Sequence, residues 1–363
     1  MTRAARTAAF YALTAVVTLV GCVAIVLVYF GWRGATLPRI DSRLAGDWIM
    51  ERDDEIGFVA PRSASTEIRH LRAGIRWHIF TDGKRARVNA AGDETPARVD
   101  LMTVGCSFTW GAGVENEDTY AQQLGRLLGA SVANFAMGSY GTVQAFQTLV
   151  RHEDLRPKVV VYGFIQDHLR RNVSPCAPNY VPYCIPVSYV RREGDWITIA
   201  PPHMEYFSPE DNRAFNVEVA LRDPTDPVAW FLGAKWAAKM AWFRYRNPQT
   251  IAADTSAQTV AGGIEAMMRG MVSETSAIGA RLVVVNIPYL PRGRAQPAPP
   301  ELVRAVEKKD LTFVDLTPIV TAYYEREPAG SLVLGPDDPH PNARAHRLIA
   351  ETLAPVTRSL LAR

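Results

Sequence analysis

An excess of charge of either sign is missing from this chain. Forty basic residues against 37 acidic ones leave a net charge of +3, which selects no class of partner. No Lys/Arg-rich block or interleaving of aromatic with basic residues suggests nucleic acid. Internal repeats and long low-complexity tracts are absent, which excludes a repeat array or a compositionally biased chain. Cysteine is scarce, with four in 363 residues. Cys22 lies in an apolar N-terminal run and Cys106 at the end of an expected buried strand. Cys176 and Cys184 frame the loop CAPNYVPYC, which a disulfide would close in an oxidising compartment; two unpaired thiols are the alternative.

What is present is ordinary for a globular protein, with 48% hydrophobic and 21% charged residues. The length suits one large α/β domain plus a smaller module. Ala8–Phe30 carries no charge and is long enough to span a bilayer as a helix. Arg3 and Arg6 precede it, and Tyr29 and Trp32 mark its far end as interfacial anchors. Leu19-Val20-Gly21-Cys22 resembles a lipoprotein cleavage box, but the run stays apolar through Phe30, which favours an uncleaved anchor. Arg33, Arg39 and Arg43 weaken the charge argument for orientation; the framed cysteines favour a domain outside the cytoplasm. The expected organisation is a cytoplasmic stub (1–7), a transmembrane helix (8–30), a membrane-proximal β-rich segment (31–98) and a catalytic domain (99–363). The β-rich segment contains a hairpin, Ile75–Phe80 and Ala86–Ala90 about Asp82-Gly83. Its charges, including the acidic cluster Asp53, Asp54 and Glu55, form no arrangement that maps onto chemistry.

From residue 99 apolar strand-like runs alternate with helical stretches, the signature of a parallel α/β sheet. Strands are expected near 99–104, 130–136, 158–164, 281–287 and 311–316. Helices are expected near 119–128, 142–153, 261–279, 298–308 and 342–361. The interval 168–258 is too long for a simple crossover and reads as an insertion over the C-terminal edge of the sheet. Within it, a helix near 227–246 carries Trp230, Trp236 and Trp242 among basic residues. It is expected to pack on its own domain with those bases extended, rather than to lie on a membrane surface.

Four segments converge on the strand ends where open α/β sheets bind ligands. Ser107 follows the first strand. Asn134 to Gly141 follow the second, with Gly138 and Ser139 in the turn. Gly163 to His168 follow the third, and Asp337 to His340 enter the last helix. A serine hydroxyl needs a base to take its proton, for which His340 is the candidate. A carboxylate must fix the imidazole, the role expected of Asp337. The oxyanion needs preorganised donors, expected from the N–H groups of Ser107 and of Ser139, which follows Gly138 in its turn, together with the Gln166 amide. His168 is a candidate substrate contact, and His346 is expected to face solvent.

G-C-S-F-T-W-G-A-G around Ser107 and D-D-P-H-P-N around His340 resemble the first and last sequence blocks of SGNH (GDSL-like) hydrolases, over about residues 99–355. The resemblance implies a flavodoxin-like α/β/α fold with a five-stranded parallel sheet of order 2-1-3-4-5. It also implies no metal or other cofactor, and Ser107, His340 and Asp337 in catalysis. Two blocks depart from the pattern: Ser139 stands where the family has glycine, and Gln166, one residue late, where it has asparagine. The implied activity is a membrane-anchored, extracytoplasmic serine esterase that removes or transfers acyl groups, acetyl above all, on a cell-envelope carbohydrate. A lipase-like esterase acting on lipid esters and a non-catalytic carbohydrate-binding component are the alternatives.

Overall fold

The computed structural model describes residues 3–36, 44–45, 50–70, 74–177, 185–203, 253–307, 309–335 and 338–362, with isolated positions between 228 and 246. The chain divides into two units. One comprises residues 1–43, 179–183 and 210–248; the other holds the remainder.

In the first unit, helix α1 runs Arg3–Thr36. Its described apolar side chains, among them Leu13, Val17, Val20 and Ile25, are exposed. Side chains are described for only part of α1, and among the described residues no helix is long and apolar enough to cross a membrane. The helix expected near 227–246 lies largely outside the described residues.

The second unit is built on a nine-stranded sheet. Five of its strands, β7 (Leu101–Gly105), β8 (Val132–Asn134), β9 (Val159–Phe164), β14 (Arg281–Asn286) and β15 (Thr312–Asp315), stand in the spatial order β8-β7-β9-β14-β15. Each neighbouring pair among them is parallel. The strands are apolar on both faces because helices cover both. Alternation along the backbone divides their side chains. Leu101, Val159, Val161, Val283 and Val285 enter one core with Tyr120 and Leu124 of α3 (Tyr120–Leu128) and Ile349 and Leu353 of the last helix, Ala343–Leu361. Met102, Val104, Val160, Tyr162 and Val284 enter the other, with Leu149 of α4 (Thr142–Arg151) and Met268 of the helix Ala257–Ala277.

Among the described residues the sheet has nine strands rather than the expected five. The β-rich segment is part of that sheet: β4 (Ser65–His70), β5 (Ile75–Thr81) and β6 (Arg87–Val88) continue it beyond β8. The continuation is antiparallel, joined where Arg87 pairs with Asn134. The hairpin about Asp82-Gly83 is present, pairing Phe80 with Val88 and Thr81 with Arg87. Its turn closes on the buried Asp82 carboxylate, which accepts from the backbone N–H groups of Lys84, Ala86 and Thr95. Of the acidic cluster, Asp53 is held by Arg151 at 2.6 Å.

In the long interval between β9 and β14 the described residues form two small antiparallel ribbons. One pairs β10 (Cys176–Ala177) with β11 (Ile185–Pro186), and the other β12 (Tyr189–Glu193) with β13 (Trp196–Ala200). Cys176 is disulfide-bonded, Cys22 and Cys106 are free, and Cys184 lies outside the described residues.

Candidate active site

Ser107 opens a one-turn helix, α2 (Ser107–Trp110), directly after β7, and is almost fully buried. Two glycines allow this turn to sit down on the sheet. A Cβ on Gly105 would lie 2.6 Å from Thr109 Oγ1, and one on Gly163 of β9 would lie 2.1 Å from the same atom. Thr109 occupies the space those side chains would fill, and its hydroxyl accepts from the Tyr120 hydroxyl at 3.0 Å. Asn134 braces the far end of α2 by donating to the Thr109 carbonyl.

His340 and Ser107 meet across 233 residues of sequence: the imidazole Nε2 lies 2.9 Å from Ser107 Oγ. Phe108 packs against the ring, with centroids 5.2 Å apart. The other ring nitrogen, Nδ1, lies 2.6 Å from Oδ1 of Asp338. The His340 backbone N–H donates to the same oxygen at 3.0 Å. Asp338 therefore occupies the place expected of Asp337, which lies outside the described residues. The reason is local: Asp338–Pro341 is a β-strand, and in a strand residues two apart share a face. Burial pushes the Asp338 pKa up. The hydrogen bond from the His340 ring, the charges of His340 and His70 and the His340 backbone N–H outweigh that, and the carboxyl stays well below its ordinary value. It is a carboxylate at neutral pH, able to hold the imidazole in one tautomer and to stabilise an imidazolium.

A fourth side chain completes the row. His70, at the end of β4 and 3% exposed, places Nε2 3.1 Å from Oδ2 of Asp338. His70 belongs to neither sequence block, and the sheet alone brings it to Asp338 across 268 residues.

Gly138 and Ser139 lie in the loop after β8. Ser139 is buried and has φ +66°, the left-handed region that favours glycine. Gln166 stands exposed just before α5 (Asp167–Asn172). His168 does not face a substrate: it is fully buried, with Nδ1 2.7 Å from the Tyr162 hydroxyl. Burial holds its pKa well below the ordinary value, with the Arg171 charge adding to the effect. His346 is likewise buried rather than solvent-facing, and its Nδ1 accepts from the Tyr120 backbone N–H at 3.1 Å. Cys106, beside the serine, is fully buried, and burial pushes its thiol pKa up, so it remains a neutral thiol.

No family profile and no curated protein matches the chain. Solved structures do. A family 2 carbohydrate esterase with a carbohydrate-binding domain from Corynascus thermopiles (Myceliophthora fergusii) matches at 14% identity and TM-score 0.35, over 76% of this chain and 70% of its own. An acetyl xylan esterase from the rumen bacterium Butyrivibrio proteoclasticus matches at 10% identity and TM-score 0.35, over 74% and 66%. A family two carbohydrate esterase from Cellvibrio japonicus matches at 9% and 0.35, over 88% and 96%. These likenesses are distant, and the chemistry below stands on Ser107, His340 and Asp338.

Proposed function

We propose that this chain is a serine ester hydrolase or acyltransferase working through an acyl-serine intermediate. One observation carries the reading: Ser107 Oγ, His340 and Asp338 stand in a continuous row, at 2.9 Å and 2.6 Å. His340 Nε2 takes the Oγ proton as the oxygen attacks the ester carbonyl. Negative charge collects on the former carbonyl oxygen, and the backbone N–H groups of Ser107 and Ser139, with the Gln166 amide, are its proposed donors. Each such donor is worth about 3–4 kcal/mol. As the tetrahedral species collapses, the C–O bond to the alcohol breaks and the imidazolium returns the proton to the leaving oxygen. Water, or an acceptor hydroxyl, then repeats the sequence on the acyl-serine and regenerates Ser107.

The substrate class we assign is an acylated carbohydrate, acetyl esters above all, at the cell envelope. The SGNH-like serine and final blocks and an apolar N-terminal helix support it. Anchoring through α1 is supported by its exposed apolar side chains, and placement outside the cytoplasm by the disulfide at Cys176.

The test uses the full chain in detergent micelles, with p-nitrophenyl acetate and p-nitrophenyl octanoate beside Ser107→Ala. Turnover of the acetyl ester that disappears in the variant is the expected result. Preference for octanoate would move the substrate to lipid esters. Equal rates in wild type and variant would overturn the assignment of the nucleophile.

A further inference from the structure

The row of polar groups does not end at Asp338. Its carboxylate is held on both oxygens, Oδ1 by the ring and backbone of His340 and Oδ2 by His70 Nε2 at 3.1 Å. The Asp338 side chain is only 14% exposed and that of His70 3%, so water has little room to replace the histidine. A carboxylate bound on one oxygen alone turns readily about its last torsion, which is broad for such groups. Turning would carry Oδ1 out of the plane of His340 and loosen the imidazole behind the nucleophile.

His70 reaches this position because β4 belongs to the catalytic sheet. It is the last residue of β4, paired with Ile75 on one side and Leu44 on the other. The antiparallel continuation thus delivers a side chain to a site otherwise assembled at the parallel strand ends.

We propose that His70 is a positioning residue for ester cleavage, donating its Nε2–H to Oδ2 of Asp338 so that Oδ1 stays aimed at His340. The proposal rests on the serine-esterase reading. It separates His70 from a residue that merely fastens β4, because a positioning role acts on kcat through Asp338 alone.

The experiment compares His70→Leu, His70→Gln and His70→Asn in the full chain, with Asp338→Asn and the His70→Leu/Asp338→Asn double variant. Glutamine places an amide N–H near the position of Nε2, whereas asparagine falls short of it. The readouts are kcat and KM on p-nitrophenyl acetate, the rate of Ser107 labelling by a fluorophosphonate, and the thermal midpoint. His70→Leu should lower kcat about 10- to 100-fold, the size of one hydrogen bond to a charged group, with KM nearly unchanged. His70→Gln should stay close to wild type and His70→Asn should follow leucine. The double variant should be no slower than Asp338→Asn alone, since both losses act through one carboxylate.

Wild-type kcat in His70→Leu would overturn the proposal, as would losses that multiply fully in the double variant. If leucine prevents folding, the glutamine and asparagine variants decide: equal activity in the two overturns it. A wild-type chain that neither labels nor turns over would overturn the esterase reading itself, and the two failures are thereby distinct.

Discussion

Arg87 donates Nη1 to the carbonyl oxygen of Trp110 at 2.5 Å, from a position that is wholly buried. The same guanidinium donates to the carbonyls of Gly111, Val114 and His78, and among the described residues it forms no ion pair with a carboxylate. Burial lowers its pKa to about 9, against a small opposing effect of Glu115. Arg87 clamps the loop that follows α2, so it fixes the turn carrying Ser107. Arg87→Met leaves those carbonyls buried without a donor and should cost about 3 kcal/mol or more, at 1–3 kcal/mol per unsatisfied group. Urea unfolding measures this; a loss under 1 kcal/mol would show that the loop relaxes without its clamp.

Asp338 and Asp337 separate by activity. Asp338→Asn removes the carboxylate against His340 Nδ1 and should lower kcat by about 10⁴, the cost of the wrong imidazole tautomer in such a row. Asp337→Asn should have much the smaller effect. Kinetics of the two variants on p-nitrophenyl acetate decide the matter, and the reverse ranking would restore Asp337 to the role.

Stability should fall on mild acidification. Burial lowers the pKa of His152 to about 4 and that of His346 to about 3, and holds that of His168 well below its ordinary value. The unfolded chain therefore binds more protons than the folded one between the lowered values and the ordinary histidine pKa near 6.5, and stability rises with pH through that window. Each group contributes a slope of up to about 1.4 kcal/mol per pH unit there. Thermal midpoints from pH 7 to pH 4.5 should drop steeply, and His152→Phe should flatten the curve. An unchanged midpoint over that range would mean that these rings protonate within the fold.

Gly163→Ala should act at a distance on the nucleophile. The new Cβ would meet Thr109 Oγ1 at 2.1 Å and the Tyr120 hydroxyl at 2.9 Å. Displacing Thr109 shifts α2, with an expected cost of about 1–3 kcal/mol from overpacking and a reduced kcat. Thr109→Ala in the same chain should recover part of the stability. Additive losses in the double variant would show that the two positions are not coupled.

The five strands after residue 99 and most of the helices between them are legible in the sequence, because each strand is a short, mainly apolar stretch set between helical runs. The meeting of Ser107 with His340 was readable from the two sequence blocks. The helix Thr317–Arg326 is not among the expected ones. His346 could have been placed correctly: with Ile349, Ala350 and Leu353 it follows the helical spacing of a buried face. Asp338 stands beside Asp337 in the sequence, and it is the extended backbone Asp338–Pro341 that puts Asp338 on the face of the His340 ring. His70 left no local trace, since its partner is brought to it by the sheet alone.

The pairing of Arg87 with Asn134 has a further consequence for how the gene can change. A recombination that exchanged the stretch before residue 99 as a cassette would strip β8 of its neighbour. It would also remove the guanidinium that holds the turn after Ser107. Residues 65–88 must therefore be inherited with the half of the chain that bears the serine, and variation is freer in the exposed ribbon at Trp196 than in the strands beside β8.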